Sequence, residues 1–111
     1  MSEPAASQQD GAAGYPAVPA TFDFLVLSLK TQAEMHLGLI HFGDEEDRPQ
    51  ADPHAARHMI DLLAMLEEKT RGNLSMEEKR LLENSLTELR FRYIQALQEH
   101  ANRTSESQAQ G

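Results

Sequence analysis

The chain lacks cysteine and tryptophan, and aromatic side chains make up only 5% of its 111 residues. Without cysteine there can be no disulfide, no thiolate nucleophile, no iron–sulfur cluster and no cysteine-ligated zinc. This composition fits a cytoplasmic protein, and that is the location we expect. At this length the chain accommodates one domain and not two.

Basic residues are also scarce. Ten Lys and Arg stand against 18 Asp and Glu, which gives a formal charge of −8, and the longest basic run is the pair Lys79-Arg80. Because such a surface repels phosphate, we expect no nucleic-acid partner. The densest apolar stretch, residues 22–29, is interrupted by Asp23 and Ser28 and is far too short for a membrane span.

Sequence motifs of catalysis are missing as well. There is no Gly-x-Ser-x-Gly elbow, no glycine-rich phosphate loop before a helix and no His-Glu-x-x-His pair. A few short helices also leave little volume for a substrate cavity. We therefore expect a protein that is not an enzyme and that needs no cofactor.

The composition divides the chain into three parts. Residues 1–20 are rich in Pro, Gly, Ala, Ser and Gln and show no apolar period, which predicts a disordered leader. Residues 102–111 are similarly polar and are predicted to form a disordered tail. Residues 21–101 remain as the folded domain.

The first predicted helix spans residues 22–37. Thr21 is its expected N-cap and Gly38 its expected stop. The local pattern of residues 22–29 partly alternates, so a short strand is an alternative. The apolar period continues to Ile40, and this length favours a helix.

Two further helices have clear start signals. Asp52 and Pro53 predict the beginning of the second helix, which Gly72 should terminate after residue 71. Ser75 and Glu78 form a capping box before the third, expected to run to about residue 101. The fold class we predict is all-α: a helical hairpin of the second and third helices plus an N-terminal helix. The apolar positions of the three expected stripes are Phe22, Leu25, Val26, Leu29, Ala33, Leu37 and Ile40; Ala56, Met59, Ile60, Leu63 and Leu66; and Leu82, Leu86, Leu89, Tyr93, Ala96 and Leu97.

Two helices carry apolar residues away from these stripes. Phe91 falls almost opposite Leu82 with Ile94 beside it, and Leu27 lies off the core face of the first helix. Single exposed apolar residues are normal, and a small core could also wrap around them. Since about 80 residues form only a small core, these side chains equally favour self-association or docking of a partner helix.

One face of the second helix is a candidate metal site. His54, His58 and Asp61 stand at i, i+4 and i+7, a spacing that suits part of a zinc or nickel site. A solvated polar face opposite the apolar stripe is the simpler interpretation.

Residues 60–75, with Glu77-Glu78, Leu81-Leu82-Glu83-Asn84 and residues 88–93, closely resemble the bacterial family called domain of unknown function eighteen-forty-four. Residues 22–28 and 36–38 are similar to that family's opening helix, so the resemblance covers residues 21–97. The acidic loop after Gly38, with residues 44–47 at its centre, departs from the family pattern. The resemblance implies a small helical bacterial cytosolic domain without an established enzymatic activity.

In size and family the chain is also similar to a myxobacterial polarity factor that belongs to a module controlling a small Ras-like GTPase. That likeness implies docking on the GTPase or on its response-regulator-type partner. Several polar residues of the matching run are not needed for capping, and each could make that contact or tie the second helix to the third. They are Asp61, Lys69, Thr70, Asn73, Asn84 and Arg90.

Overall fold

The computed structural model describes the backbone of residues 18–110 and the side chains of residues 18–105. Within this part lie three α-helices, α1 (Phe22–His36), α2 (Pro53–Lys69) and α3 (Met76–Gln110), with a 3₁₀ turn at Glu45–Asp47 and no strand. The all-α, three-helix prediction is confirmed, and the strand alternative for residues 22–29 is wrong. Of the predicted leader, residues 18–20 have no regular structure; residues 1–17 lie outside the described part.

Helix α1 begins and ends where its sequence signals stand. The Thr21 hydroxyl accepts a hydrogen bond of 3.1 Å from the Phe24 amide, which satisfies one free donor of the first turn. At the other end the Gly38 amide donates to Met35 and the Leu39 amide to Glu34. These two bonds form a Schellman motif, and Gly38 supplies the left-handed residue with φ of 79°.

Helix α2 starts as predicted but ends earlier. The Asp52 carboxylate caps it by accepting from the Ala55 amide at 3.1 Å. The last helical residue is Lys69, two residues before the predicted end. The Thr70 amide and hydroxyl both donate to the Leu66 carbonyl, so the last turn of α2 is fully bonded. Gly72, with φ of 85°, lies in the turn that follows.

Helix α3 opens on the predicted capping box. The Ser75 amide donates to the Glu78 carboxylate at 2.8 Å, and the Glu78 amide donates to the Ser75 hydroxyl at 3.1 Å. The helix continues to Gln110 instead of ending near residue 101, so its backbone includes most of the predicted tail. No Gly or Pro interrupts residues 76–110, and the side chains of residues 101–105 are exposed. A helix of 35 residues measures about 52 Å.

The core lies where the three helices meet, since every pair of them packs together. Most predicted stripe positions are buried or half-buried, but Leu25 is 44% exposed and belongs to the outer surface. Ser85 is also buried, and its hydroxyl has no hydrogen-bond partner among the described residues. The buried apolar residues are Val26, Ala33, Leu37, Ala56, Ile60, Leu63, Leu82, Leu86, Leu89 and Ala96.

The acidic connection between α1 and α2 is held by hydrogen bonds from one arginine to two groups. Arg48 donates to the Glu45 carboxylate at 2.6 Å and to the Gly38 carbonyl at 3.0 Å. The hydrogen bond and the positive charge of Arg48 lower the pKa of Glu45. The Asp52 amide donates to the His36 carbonyl, so the end of α1 meets the start of α2, and the two helices pack against each other.

Candidate interaction surfaces

Helix α1 is apolar on two opposite faces. Val26 and Ala33 point into the core and are fully buried. On the other side Phe24, Leu27 and Met35 are 39%, 44% and 42% exposed. An apolar face of a helix is usually covered by another element. The described part of the chain covers only one of these faces.

A shallow hollow of about 370 Å³ lies on this outer face, lined by Phe24, Leu27, Ser28 and Thr31. These residues stand at i, i+3, i+4 and i+7, and four residues of one helix form the hole into which a facing side chain inserts in helix-to-helix packing. The Ser28 hydroxyl donates to the Phe24 carbonyl at 2.8 Å, so its hydrogen is already bonded within the helix. The hollow therefore has the shape and the polarity of a helix-docking position.

The charges of α1 lie at one edge of this face. At about 100° per residue, Asp23, Lys30 and Glu34 fall within an arc of about 40°. That edge faces α3, because the Lys30 ammonium lies 3.1 Å from the Glu88 carboxylate and 4.0 Å from that of Glu34. We call Phe24, Leu27, Ser28, Thr31 and Met35 the outer strip; no residue in it is charged.

Helix α3 exposes its own apolar patch. Phe91 is 60% and Ile94 is 52% exposed, and Phe91 follows Glu88 by one helical turn. Leu27 precedes Lys30 by one turn on α1, so each of the two regions lies one helical turn from one partner of the Lys30–Glu88 ion pair. The three predicted apolar residues are thus exposed on two helices. The hollow at Leu27 is formed by α1 alone and does not include Phe91 or Ile94.

The polar candidates of the family-like run do not tie α2 to α3. Among the described residues none of their side chains hydrogen-bonds to another helix, and the Thr70 hydroxyl bonds to Leu66 within its own turn. These side chains therefore form no hydrogen-bonded tie between α2 and α3; Thr70 is half-buried beside the turn that joins the two helices, and the other five are exposed. The exposed members are Asp61, Lys69, Asn73, Asn84 and Arg90.

The predicted metal face is exposed and incomplete. His54 and His58 lie on the solvent side of α2, and Asp61 forms an ion pair of 3.8 Å with Arg57. In the described part of the chain no three His, Asp or Glu side chains converge as metal ligands. Metal binding at this face stays a prediction that no contact in the structure favours.

A second hollow, of about 400 Å³, lies at the turn between α2 and α3. Sequence reasoning missed it, since its walls come from the end of one helix, the turn and the start of the next. The hollow is lined by both acidic and basic side chains and by two leucines. The predicted site residues Lys69 and Asn73 do not line it. The lining residues are Glu67, Thr70, Arg71, Gly72, Leu74, Lys79, Leu82 and Glu83.

Comparison with known proteins identifies the family. The model of the domain of unknown function DUF1844 matches residues 19–95, so the chain belongs to this family. The match spans α1, α2 and the part of α3 that carries Phe91 and Ile94. A search of curated proteins and a search of solved structures both found no match.

One further finding concerns membranes. Across residues 18–110, none of the three helices combines the length and the apolar character needed to cross a bilayer.

Proposed function

We propose that this chain is a small, non-enzymatic interaction module of the bacterial cytoplasm that regulates a protein partner by docking. The observation that carries the proposal is that two helices of one small bundle expose apolar faces away from the core. These are the outer strip on α1 and the patch of Phe91 and Ile94 on α3. Exposed apolar groups beside polar surroundings are typical of protein-binding surfaces.

The partner class follows from the family resemblance. The chain is similar in size and family to the myxobacterial polarity factor RomX, so a small Ras-like GTPase or its response-regulator-type partner is the first candidate. A docked helical face changes the nucleotide state of a GTPase only if it binds one conformation more tightly than the other. We assign this contact to Phe91 and Ile94, with Arg90 as the adjoining polar group.

Site-specific photo-crosslinking tests this assignment. A photoreactive amino acid replaces Phe91 or Ile94 in cells that express the full chain, and a matched variant carries it at Arg57, which is exposed on α2. We expect one defined protein to crosslink at positions 91 and 94 and not at position 57. The captured protein is then purified. If it is a GTPase, we expect its nucleotide-exchange rate to change when the chain is added.

Three results would redirect the proposal. Crosslinks of equal yield at all three positions, or none at positions 91 and 94, would contradict a docking site on α3. Crosslinks only to the chain itself would instead make it a homo-oligomeric scaffold. Captured GTPase whose exchange rate does not respond would remove regulation and leave binding.

A further inference from the structure

Four of the five side chains of the outer strip follow a symmetric order, and the fifth, Leu27, lies on the side of the strip nearer α3. The central row of the strip is Phe24, Ser28, Thr31 and Met35, with steps of four, three and four residues. These four side chains lie within an arc of about 60°, roughly opposite Val26. The spacing is the same in both directions along the helix, with bulky side chains at the ends and small hydroxyl side chains in the middle.

We infer that the occupant of this strip is α1 of a second copy, packed antiparallel about a two-fold axis midway between residues 29 and 30. This deepens the proposed function, on which it rests for the view that the strip is a docking surface. A two-fold interface requires a surface that is complementary to itself. The symmetric row meets this condition, because Phe24 of one copy then faces Met35 of the other and Ser28 faces Thr31.

The side chains suit these pairings. Sulfur-to-aromatic contacts are favourable, so Phe24 and Met35 form a good pair at each end. In the middle Ser28 and Thr31 are small, which lets the two helix axes approach each other. Burial of Ser28 leaves no unpaired donor, since its hydroxyl already bonds to the Phe24 carbonyl at 2.8 Å.

The absence of charge from the outer strip disfavours a basic partner at this site. The chain carries a formal charge of −8, so a basic partner would be attracted to its carboxylates. The outer strip has none, and the nearest, Asp23 and Glu34, lie at its α3 edge. An uncharged apolar helical face suits another of the same kind, and α1 itself supplies one. Because two copies of formal charge −8 repel each other, the pairing should strengthen at salt concentrations that screen this repulsion.

A charge-exchange experiment tests this inference on the full chain. One variant carries Ser28→Glu with Thr31→Glu, and a second carries Ser28→Lys with Thr31→Lys. In the antiparallel pair position 28 faces position 31, so each variant alone brings like charges together. We expect the native chain to sediment at twice its 12.4 kDa mass at high concentration, each variant alone at 12.4 kDa, and their mixture again as a dimer.

Two single variants serve as controls. Thr87 and Thr104 are exposed on α3, so Thr87→Glu and Thr104→Glu each add one negative charge outside the outer strip, half of the charge that the double strip variant adds. Both should dimerise like the native chain, with dissociation constants within about twofold. Circular dichroism checks that every variant keeps its helical content, and recovery of dimer in the mixture shows directly that both strip variants are folded.

The inference is wrong if the native chain stays monomeric over the whole concentration series, or if each strip variant alone dimerises as well as the native chain. It is also wrong if mixing the two strip variants restores no dimer, or if Thr87→Glu disrupts the dimer. If any of these occurs while crosslinking at Phe91 still captures a partner, the interaction module stands and only the second copy on α1 is lost. Failure of the crosslinking alone leaves the dimer intact.

Discussion

Helices α1 and α2 are neighbours of similar length, 15 and 17 residues, yet their outer faces differ. The solvent side of α2 carries His54, His58 and Asp61, as expected of a surface helix with one apolar stripe. The solvent side of α1 is the uncharged outer strip. The core of this chain therefore accounts for the sequence of α2 apart from Met65, which is 42% exposed, but for only half of the apolar pattern of α1.

The largest effect should separate a core leucine from an outer one. Leu63 on α2 is fully buried, so Leu63→Ala should lower the free energy of unfolding by about 2–5 kcal/mol through lost burial and a cavity. Leu27→Ala should cost less than about 1 kcal/mol in dilute protein, where α1 faces water. Urea unfolding of both variants measures the difference. Equal losses of unfolding free energy would show that Leu27 belongs to the core and that the outer faces of α1 and α2 do not differ in this way.

Removing the N-cap of α1 or of α2 should destabilise the fold to a similar extent, because both capping hydrogen bonds are formed. Thr21→Ala and Asp52→Ala each remove a side-chain acceptor of an amide hydrogen bond at 3.1 Å. Each should lower the free energy of unfolding by about 1 kcal/mol. Thermal unfolding of the two variants checks this, with Thr87→Ala as the control away from a helix end. A loss confined to one cap would show that the other helix is held by packing alone.

A smaller effect distinguishes the ion pairs of the two helices. Lys30 of α1 contacts Glu88 of α3 at 3.1 Å, whereas the pair Arg57–Asp61 lies within α2 at 3.8 Å and is more exposed. Double-mutant cycles with alanine should give a coupling of about 0.5–1 kcal/mol for the first pair and about 0.3 kcal/mol or less for the second. Both couplings should fall at high salt. A larger coupling within α2 would contradict this order.

The smallest effect belongs to the loop that joins the two helices. Arg48 lowers the pKa of Glu45 below its ordinary value of 4.5, so the ionised carboxylate is favoured in the folded state. The contribution of this carboxylate to folding stability is complete above pH 4.5. It is lost as the pH falls through the lower pKa of Glu45 in the folded state. NMR titration of the Glu45 carboxyl should show the lowered pKa, and Arg48→Ala should restore it. An unchanged titration in that variant would exclude Arg48 as the cause.

Local sequence signals predict most of this fold. Thr21, Asp52 and the Ser75/Glu78 box mark the three helix starts, and Gly38 marks a stop, because each acts through hydrogen bonds or backbone angles of its own turn. The ends of α2 and α3 were misplaced. Helix α2 ends at Lys69, three residues before the left-handed Gly72, and α3 has no Gly or Pro before Gln110.

The candidate surfaces are predictable only in part. Helical periodicity alone shows that Leu27, Phe91 and Ile94 leave the core face. It cannot show that Lys30 reaches Glu88, or that Arg71 and Lys79 meet at one hollow, since both depend on how the helices pack. Periodicity also predicts Leu25 in the core, but the structure exposes it. The exposure of Leu25 depends on how α1 is rotated about its own axis against the other two helices.

Distances between spin labels on two copies of the chain test the central claim most directly. Since the chain has no cysteine, Gln32→Cys and Leu25→Cys each create a single labelling site beside the outer strip. The proposed axis predicts separations along the helix of about 8 Å between labels at position 32 and about 14 Å at position 25, from a rise of 1.5 Å per residue. Equal distances at the two positions, or no coupling between copies, would contradict the antiparallel pairing of α1.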